Sequence, residues 1–276
     1  MMGAQMETIP SDDRGLAYGD GVFETILVQH GKPSLWAWHC ARLARGCRRL
    51  GFEPPAQAVL DAQYSALPVQ GCHVLKLIVT RGSGGRGYCP PDVPSPRLIS
   101  RLMLFSPQPV RWQKGVTVRL CTLTMASQPR LAGIKHLNRL ENVLARQEWQ
   151  SPDIAEGLLC NARGELVEAT AMNVIWYQEG CWLTPRTDEC GVQGTLSAAL
   201  MNAGHLSYGT LALDALPAVR HLCVLNSVQG VWPVRQVVDA QGSPLSAHDI
   251  DSPAVRELQR QAHALLGYGD SVSFER

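Results

Sequence analysis

Four lysines stand among the 25 basic residues of this chain: Lys32, Lys76, Lys114 and Lys135, beside 21 arginines. A lysine that loses its charge through burial becomes a nucleophile toward a carbonyl group. His30-Gly-Lys-Pro33 and Trp112-Gln-Lys-Gly115 read as turns, which puts Lys32 and Lys114 in solvent. Lys76 falls in the strand-like run Val74–Thr80, where a charge faces water or an edge. Lys135 follows Gly133 and opens an apolar helical pattern. It can point into a cleft, or lay its stem along the surface. Position alone favours the surface.

Three further stretches carry chemistry. Gly191-Val-Gln-Gly194-Thr195 precedes an expected helix, where close backbone approach and free N–H groups favour an anion such as phosphate. The lysine of a P-loop is missing from it. Arg81-Gly-Ser-Gly-Gly-Arg86-Gly-Tyr88 suits phosphate or, through a bidentate arginine, carboxylate; a hairpin loop with solvated arginines fits equally. Glu168 shares an expected strand face with Leu166 and Thr170, as an edge charge or a functional carboxylate. The nine cysteines include no C-x-x-C and the eight histidines no H-E-x-x-H, so no metal site is expected.

The elements that must hold these residues follow from periodicity. Val22–Val28 and the turn at His30–Pro33 make a hairpin, followed by helices over Leu35–Leu50 and Ala56–Ala66. Val74–Thr80, Leu98–Phe105 and Val116–Leu120 read as strands. Ile134, Leu137, Leu140, Val143 and Leu144 share one face of an expected helix. Hairpins follow at Leu158–Thr170 and Asn173–Thr184, then a helix over Thr195–Ala203 stopped by Gly204. Leu222–Leu225 and Val231–Val234 are late strands, and Ser252-Pro253 opens the last helix. Hairpins outnumber β-α-β crossovers, so the expected class is α+β with mainly antiparallel sheets. The division expected is a smaller domain over residues 1–106, a linker over 107–115 and a larger domain over 116–276.

Composition excludes several functions. The 276 residues carry 25 basic and 24 acidic groups, and 45% are hydrophobic. A neutral chain is not a nucleic-acid binder driven by net charge, and no apolar run reaches the ~20 residues of a membrane helix. Met1–Ser11 has no export-signal pattern, and with an odd cysteine count this points to the cytoplasm.

Five motifs occur in order: Tyr18-Gly-Asp-Gly-Val-Phe-Glu-Thr25, His39-Cys-Ala-Arg-Leu43, Gly133-Ile-Lys-His-Leu-Asn-Arg-Leu-Glu-Asn-Val-Leu144, Glu168-Ala-Thr-Ala-Met-Asn173 and Gly191-Val-Gln-Gly194. The series resembles the class IV, or fold type IV, pyridoxal-phosphate enzymes over roughly residues 9–236. The resemblance implies a two-domain fold with the active site between the domains. It also implies that Lys135 carries pyridoxal 5'-phosphate, Arg42 binds its phosphate and Glu168 pairs with its pyridine nitrogen. Thr195 and Leu196 would offer backbone groups to the phosphate, and Asn226 and Ser227 would complete the cup. Arg81–Tyr88 and Ala132–Glu141 look most like the aminodeoxychorismate lyase branch. That branch implies β-elimination from 4-amino-4-deoxychorismate to 4-aminobenzoate and pyruvate, for folate biosynthesis. Arg86, or second Arg81, would then clamp a substrate carboxylate, with Tyr88 orienting the loop. The alternative is an aminotransferase of the same fold, of branched-chain or D-amino acid type. Members are typically homodimers acting on small molecules, with neither nucleic acid nor membrane as partner.

Overall fold

The computed structural model describes residues 8–65 and 67–269. Met1–Glu7, part of the segment read for an export signal, and Ala66, the expected end of the second helix, lie outside the described residues. Element order begins α1 (Arg14–Tyr18), β1 (Gly21–Gln29), β2 (Lys32–Pro33), α2 (Trp36–Leu50), α3 (Gln57–Ser65), β3 (Cys72–Thr80) and β4 (Arg97–Leu104). It continues with α4 (Pro109–Lys114), β5 (Val116–Met125), α5 (Leu140–Arg146), β6 (Ile154–Asn161), β7 (Leu166–Ala169), β8 (Asn173–Gln178) and β9 (Cys181–Pro185). The remainder is α6 (Thr195–Asn202), β10 (Ser207–Gly209), a 3-10 turn over Leu213–Ala218, β11 (His221–Asn226), β12 (Gly230–Val238), β13 (Pro244–Ala247) and α7 (Pro253–Leu266).

Two sheets result. The smaller runs β2-β1-β3-β4 and is antiparallel throughout. The larger runs β10-β9-β8-β11-β12-β5-β6-β7, with β13 paired to β12. It is mixed: β9 with β10, β12 with β5 and β5 with β6 are parallel, the other pairings antiparallel. The α+β class and the predominance of antiparallel pairing hold.

The small sheet owes its covering helix to sequence spacing. His39, Arg42, Leu43, Gly46 and Cys47 are the buried residues of α2, and they recur at three- and four-residue steps along one face. That face lies on β1 so closely that a Cβ at Gly46 would come within 2.8 Å of Val22 Cγ1. Along β1 the side chains alternate: Val22, Glu24 and Ile26 are buried, while Phe23 and Thr25 are only half-buried. A glutamate in that buried row needs partners, and α2 supplies them.

The expected linker contains structure. Pro109 starts α4, and Trp112 is buried against the rings of His263 and Tyr268, at 4.6 and 4.8 Å. The two sheets are also tied by α7, whose Leu266 carbonyl accepts from Gln29 Nε2 at 2.8 Å and Ser34 Oγ at 2.6 Å.

One expected helix is corrected. The pattern from Ile134 to Leu144 yields a helix only over Leu140–Arg146, and residues 134–139 are non-helical, with bends at Ile134 and Leu137. Leu137 N–H bonds to Gly21 O and Phe23 N–H to Lys135 O, so β1 holds this segment through an isolated antiparallel bridge of Val22 to His136. The expected apolar face is not buried here either: Leu140, Val143 and Leu144 are exposed.

The last helix starts as its sequence suggests, with Ser252 Oγ accepting from Val255 N–H at 3.3 Å and Pro253 in the first turn. Ser252→Ala is expected to cost about 1 kcal/mol. Thermal unfolding should report this as a midpoint lower by roughly 2–4 °C; an unchanged midpoint would deny the cap any contribution.

Candidate active site

A cavity of about 360 Å³ opens between the two sheets. Phe23 and Thr25 of β1, Lys135, Glu168 of β7, the start of α6 and the turn after β11 line it. The period-two turn of β1 presents Phe23 and Thr25 here while Glu24 points the other way.

Lys135 enters the cavity from the non-helical segment docked on β1, not from a helix start. Its Nζ lies 4.6 Å from the centroid of the Phe23 ring. Burial lowers its pKa, the nearby Arg42 and Arg139 lower it further, and Glu24 and Glu168 only partly oppose them; the result is about 8. Near neutral pH this amine can therefore shed its proton far more readily than a solvated lysine.

Glu168 is 3% exposed. One carboxylate oxygen accepts from Val192 N–H at 2.7 Å, the other from Asn142 Nδ2 at 3.3 Å. Burial raises its pKa, and Arg139, these two donors and Lys135 only partly offset it. A cationic N–H arriving in the cavity would stabilise the carboxylate form.

A third wall is built for an anion. Gly194 precedes α6 and no side chain caps the helix, so its first N–H groups are left to a ligand. The turn before it is locked: Asn173 Nδ2 donates to Val192 O at 2.9 Å, and a Cβ at Gly194 would fall 1.9 Å from Asn173 Oδ1. Thr195 lines the cavity, whereas the Leu196 side chain is in the core and offers only its backbone. Arg42 reaches the same wall from α2 and donates from Nη1 to Gln193 O at 2.9 Å. Ser227 and Asn226 close the wall. Asn226 also shapes its own turn, its Oδ1 accepting from Val228 and Gln229 N–H and its Nδ2 donating to Ala171 O.

Behind Arg42 lies a buried cluster. Glu24 accepts from Arg42 Nε at 2.8 Å and from Nη2, and pairs with His39 Nδ1 at 2.6 Å. His39 Nε2 stands 3.4 Å from Thr195 Oγ1, which links the cluster to the start of α6. Burial alone would raise the Glu24 pKa, but the Arg42 charge and hydrogen bonds, then His39, hold it near 2.

The structure thus brings Lys135, Arg42, Glu168, Thr195, Asn226 and Ser227 to one cavity, with Leu196 behind it. It puts the expected substrate side chains elsewhere. Arg81 is buried and committed: it donates to Asp20 at 2.7 and 3.0 Å and to the carbonyls of Leu50 and Gly51. Arg86 and Tyr88 are exposed on the glycine loop and line no part of this cavity. That loop is held by Arg14, whose guanidinium donates to the carbonyls of Gly84, Gly87, Tyr88 and Cys89 at 2.9–3.3 Å.

Phe23, Thr25, Asn142, Arg139 and the Glu24–His39 pair also build the site and were not among the residues expected from the sequence. Two signals were available for the last. A glutamate sits in the inward-facing row of a strand, and the H-x-x-R spacing puts His39 and Arg42 on one helical face.

The model of the family described as amino-transferase class IV matches residues 21–237. The chain belongs to the class IV aminotransferase family. It is 31% identical to an aminodeoxychorismate lyase of Vibrio harveyi, over 82% of this chain and 86% of that one. A 4-amino-4-deoxychorismate lyase structure from Pseudomonas aeruginosa superposes with a TM-score of 0.85 and 37% identity, covering 94% and 95% of the two chains. A hypothetical aminotransferase from Mycobacterium tuberculosis, in its PLP-bound form, shares the fold at a TM-score of 0.72 and 19% identity, covering 95% and 94%.

The cofactor of this class IV family is pyridoxal phosphate, and the cavity fits it. An amine of lowered pKa suits an aldehyde, a buried carboxyl of raised pKa suits a ring N–H, and an uncapped helix start beside an arginine suits a phosphate.

Glu24→Gln would leave the Arg42 guanidinium buried against a neutral amide. At neutral pH the expected loss in urea unfolding is about 3–5 kcal/mol. The stabilisation from Glu24 is full above its ordinary 4.5 and disappears as pH falls towards 2. The gap between parent and variant should close over that window, and a gap independent of pH would sink the assignment.

Proposed function

We propose that the chain is a pyridoxal-phosphate-dependent lyase that converts 4-amino-4-deoxychorismate to 4-aminobenzoate and pyruvate, the step that supplies 4-aminobenzoate for folate. The observation that carries the chemistry is the amine of Lys135, half-shielded in the cavity with its pKa lowered to about 8. The substrate is supported by the likeness to the Vibrio and Pseudomonas lyases.

When bound, pyridoxal phosphate supplies an electron sink conjugated to the substrate amine. Lys135 would hold it, then serve as the base for the proton on the amine-bearing ring carbon. Loss of that proton lets the neighbouring enolpyruvyl oxygen leave with its electron pair, and the ring becomes aromatic. Glu168 would keep a proton on the pyridine nitrogen. Arg42, the N–H groups at Thr195 and Leu196, and the hydroxyl of Ser227 would bind the phosphate, with Asn226 fixing their turn. The Phe23 ring screens the lysine amine from water.

We infer a homodimer, supported by the exposed Leu140, Val143 and Leu144 of α5 and Leu102 and Leu104 of β4. A second copy gives Arg86, with Tyr88 beside it, a route to a cavity that neither side chain lines in its own chain. Arg81 would then act by bracing the loop's base. We also propose the division into residues 1–106 and 116–276 joined by 107–115, supported by the small sheet ending at Leu104 and the larger beginning at Val116. Nine free cysteines fit a reducing, cytoplasmic setting. No helix among the described residues is long and apolar enough to cross a membrane.

Purified protein should release 4-aminobenzoate from aminodeoxychorismate with no keto acid present. A rate no higher than the spontaneous one would end the lyase reading, and a strict keto-acid requirement would replace it with an aminotransferase. Lys135→Ala should abolish turnover and the fixation of cofactor by borohydride. Glu168→Gln should keep the cofactor and lower kcat; unchanged kinetics would remove its role. If Arg86 acts across the dimer, mixing inactive Lys135→Ala with weak Arg86→Ala should restore roughly a quarter of the parental rate, the statistical yield of complete sites. No recovery would confine Arg86 to its own chain.

A further inference from the structure

We propose that Arg139 is the positioning residue for Lys135: its guanidinium bridges the carbonyls on both sides of the lysine and adds a fixed charge to the cavity wall. The proposal rests on Lys135 being the cofactor-bearing residue.

The segment around Lys135 is non-helical, bends at Ile134 and Leu137, and is bridged to β1 through His136 and Val22. The Lys135 carbonyl points to β1 and accepts from Phe23 N–H at 2.9 Å. The carbonyls of Ile134 and His136 accept from Arg139 instead, at 2.8 Å from Nη2 and 3.1 Å from Nε. A single side chain therefore ties together the two carbonyls that flank Lys135. These bonds also answer why the segment is not helical. In a helix the two carbonyls would accept from Asn138 and Leu140 N–H; Arg139 occupies them. The residue stands directly before α5, and no side chain caps that helix. It is thus the point where the bent, non-helical segment becomes helix.

The charge has a separate effect. Arg139 is half-buried and lines the cavity with Lys135 and Glu168. The groups that bear on the Lys135 amine are Arg42 and His39 from α2, Glu24 from β1, Glu168 from β7, and Arg139 and His136 from its own segment. His136 is held neutral near physiological pH, its pKa lowered to about 4 by burial and then by Arg139 and Lys135. Arg42 is bound on one side by Glu24, whereas the two bonds made by Arg139 go to neutral carbonyls. Among the described residues no carboxylate forms an ion pair with it, and Glu168 and Glu141 oppose its charge only through space.

Two variants separate the two roles. Arg139→Gln removes the charge, and Arg139→Lys keeps the charge but not the two-armed bridge. The full chain, stripped of cofactor and checked for folding by circular dichroism, is labelled with acetic anhydride across pH. Lys135 is followed by peptide mass spectrometry. In Arg139→Gln its titration should move upward, so that its reactivity at pH 8 falls about threefold to tenfold, one pKa unit being tenfold. In Arg139→Lys the titration should stay in place, while recovery of the visible absorbance after adding pyridoxal phosphate slows on the order of tenfold. A purely structural residue would slow recovery without moving the titration in either variant. An unmoved titration in Arg139→Gln, or parental recovery in Arg139→Lys, overturns the proposal. Should Arg139→Gln fail to fold, the recovery rate of Arg139→Lys decides it. The lyase reading is judged separately, on 4-aminobenzoate release by the parent chain. A parent that makes none yet shows these shifts loses that reading and keeps this one.

Discussion

Phe23 N–H bonds to Lys135 O, and Leu137 N–H returns to Gly21 O. These two backbone bonds stitch a segment of the larger half onto the first strand of the smaller sheet. Almost everything at the site depends on that seam. It fixes where the lysine points, and it obliges the cavity to lie between the two sheets. It also makes β1 serve two faces at once: Phe23 and Thr25 toward the cavity, Glu24 toward α2. The Leu266 carbonyl, held by Gln29 and Ser34, secures the same sheet from its far end.

Two buried glutamates illustrate how environment divides labour between like groups. Glu24 has an arginine and a histidine in contact, and these overcome the burial that would otherwise raise its pKa. It remains a carboxylate and anchors Arg42. Glu168 has one backbone N–H and one amide as its donors, and burial prevails. It is left responsive to whatever cation enters the cavity. Had the arginine lain beside Glu168 and the amide beside Glu24, the wall at the start of α6 would be held less firmly and the wall at Glu168 more rigidly.

Much of this was legible beforehand, for identifiable reasons. Short strands bounded by turns, the α2 face and the Ser252-Pro253 helix start all depend on neighbours in sequence, and most appear within a residue or two of expectation, while β5, β6 and β12 run four or five residues further at one end. Lys135, Arg42 and Glu168 could be named because ordered motifs resembled a known family; their positions alone did not single them out. The Ile134–Leu144 segment misled because its apolar spacing is helical while its backbone is claimed by β1 and Arg139, partners remote from the pattern or hidden in a side chain. Its exposed leucines obey the period but face outward. Trp112 escaped notice because proline and glycine around it look like a linker, whereas its ring is enclosed by His263 and Tyr268 from the far end of the chain. Arg81 and Arg86 share one loop in sequence, yet one is a buried brace and the other is in solvent.

Arg14 gathers four carbonyls of a loop in which Gly82, Gly84, Gly85 and Gly87 all have positive φ. So many glycines would normally make a segment that wanders, since each has more conformational freedom to lose than any other residue. Here that loss has already occurred during folding. Whatever Arg86 engages, it does so from a loop that need not order first, so little of the interaction energy is consumed in ordering it.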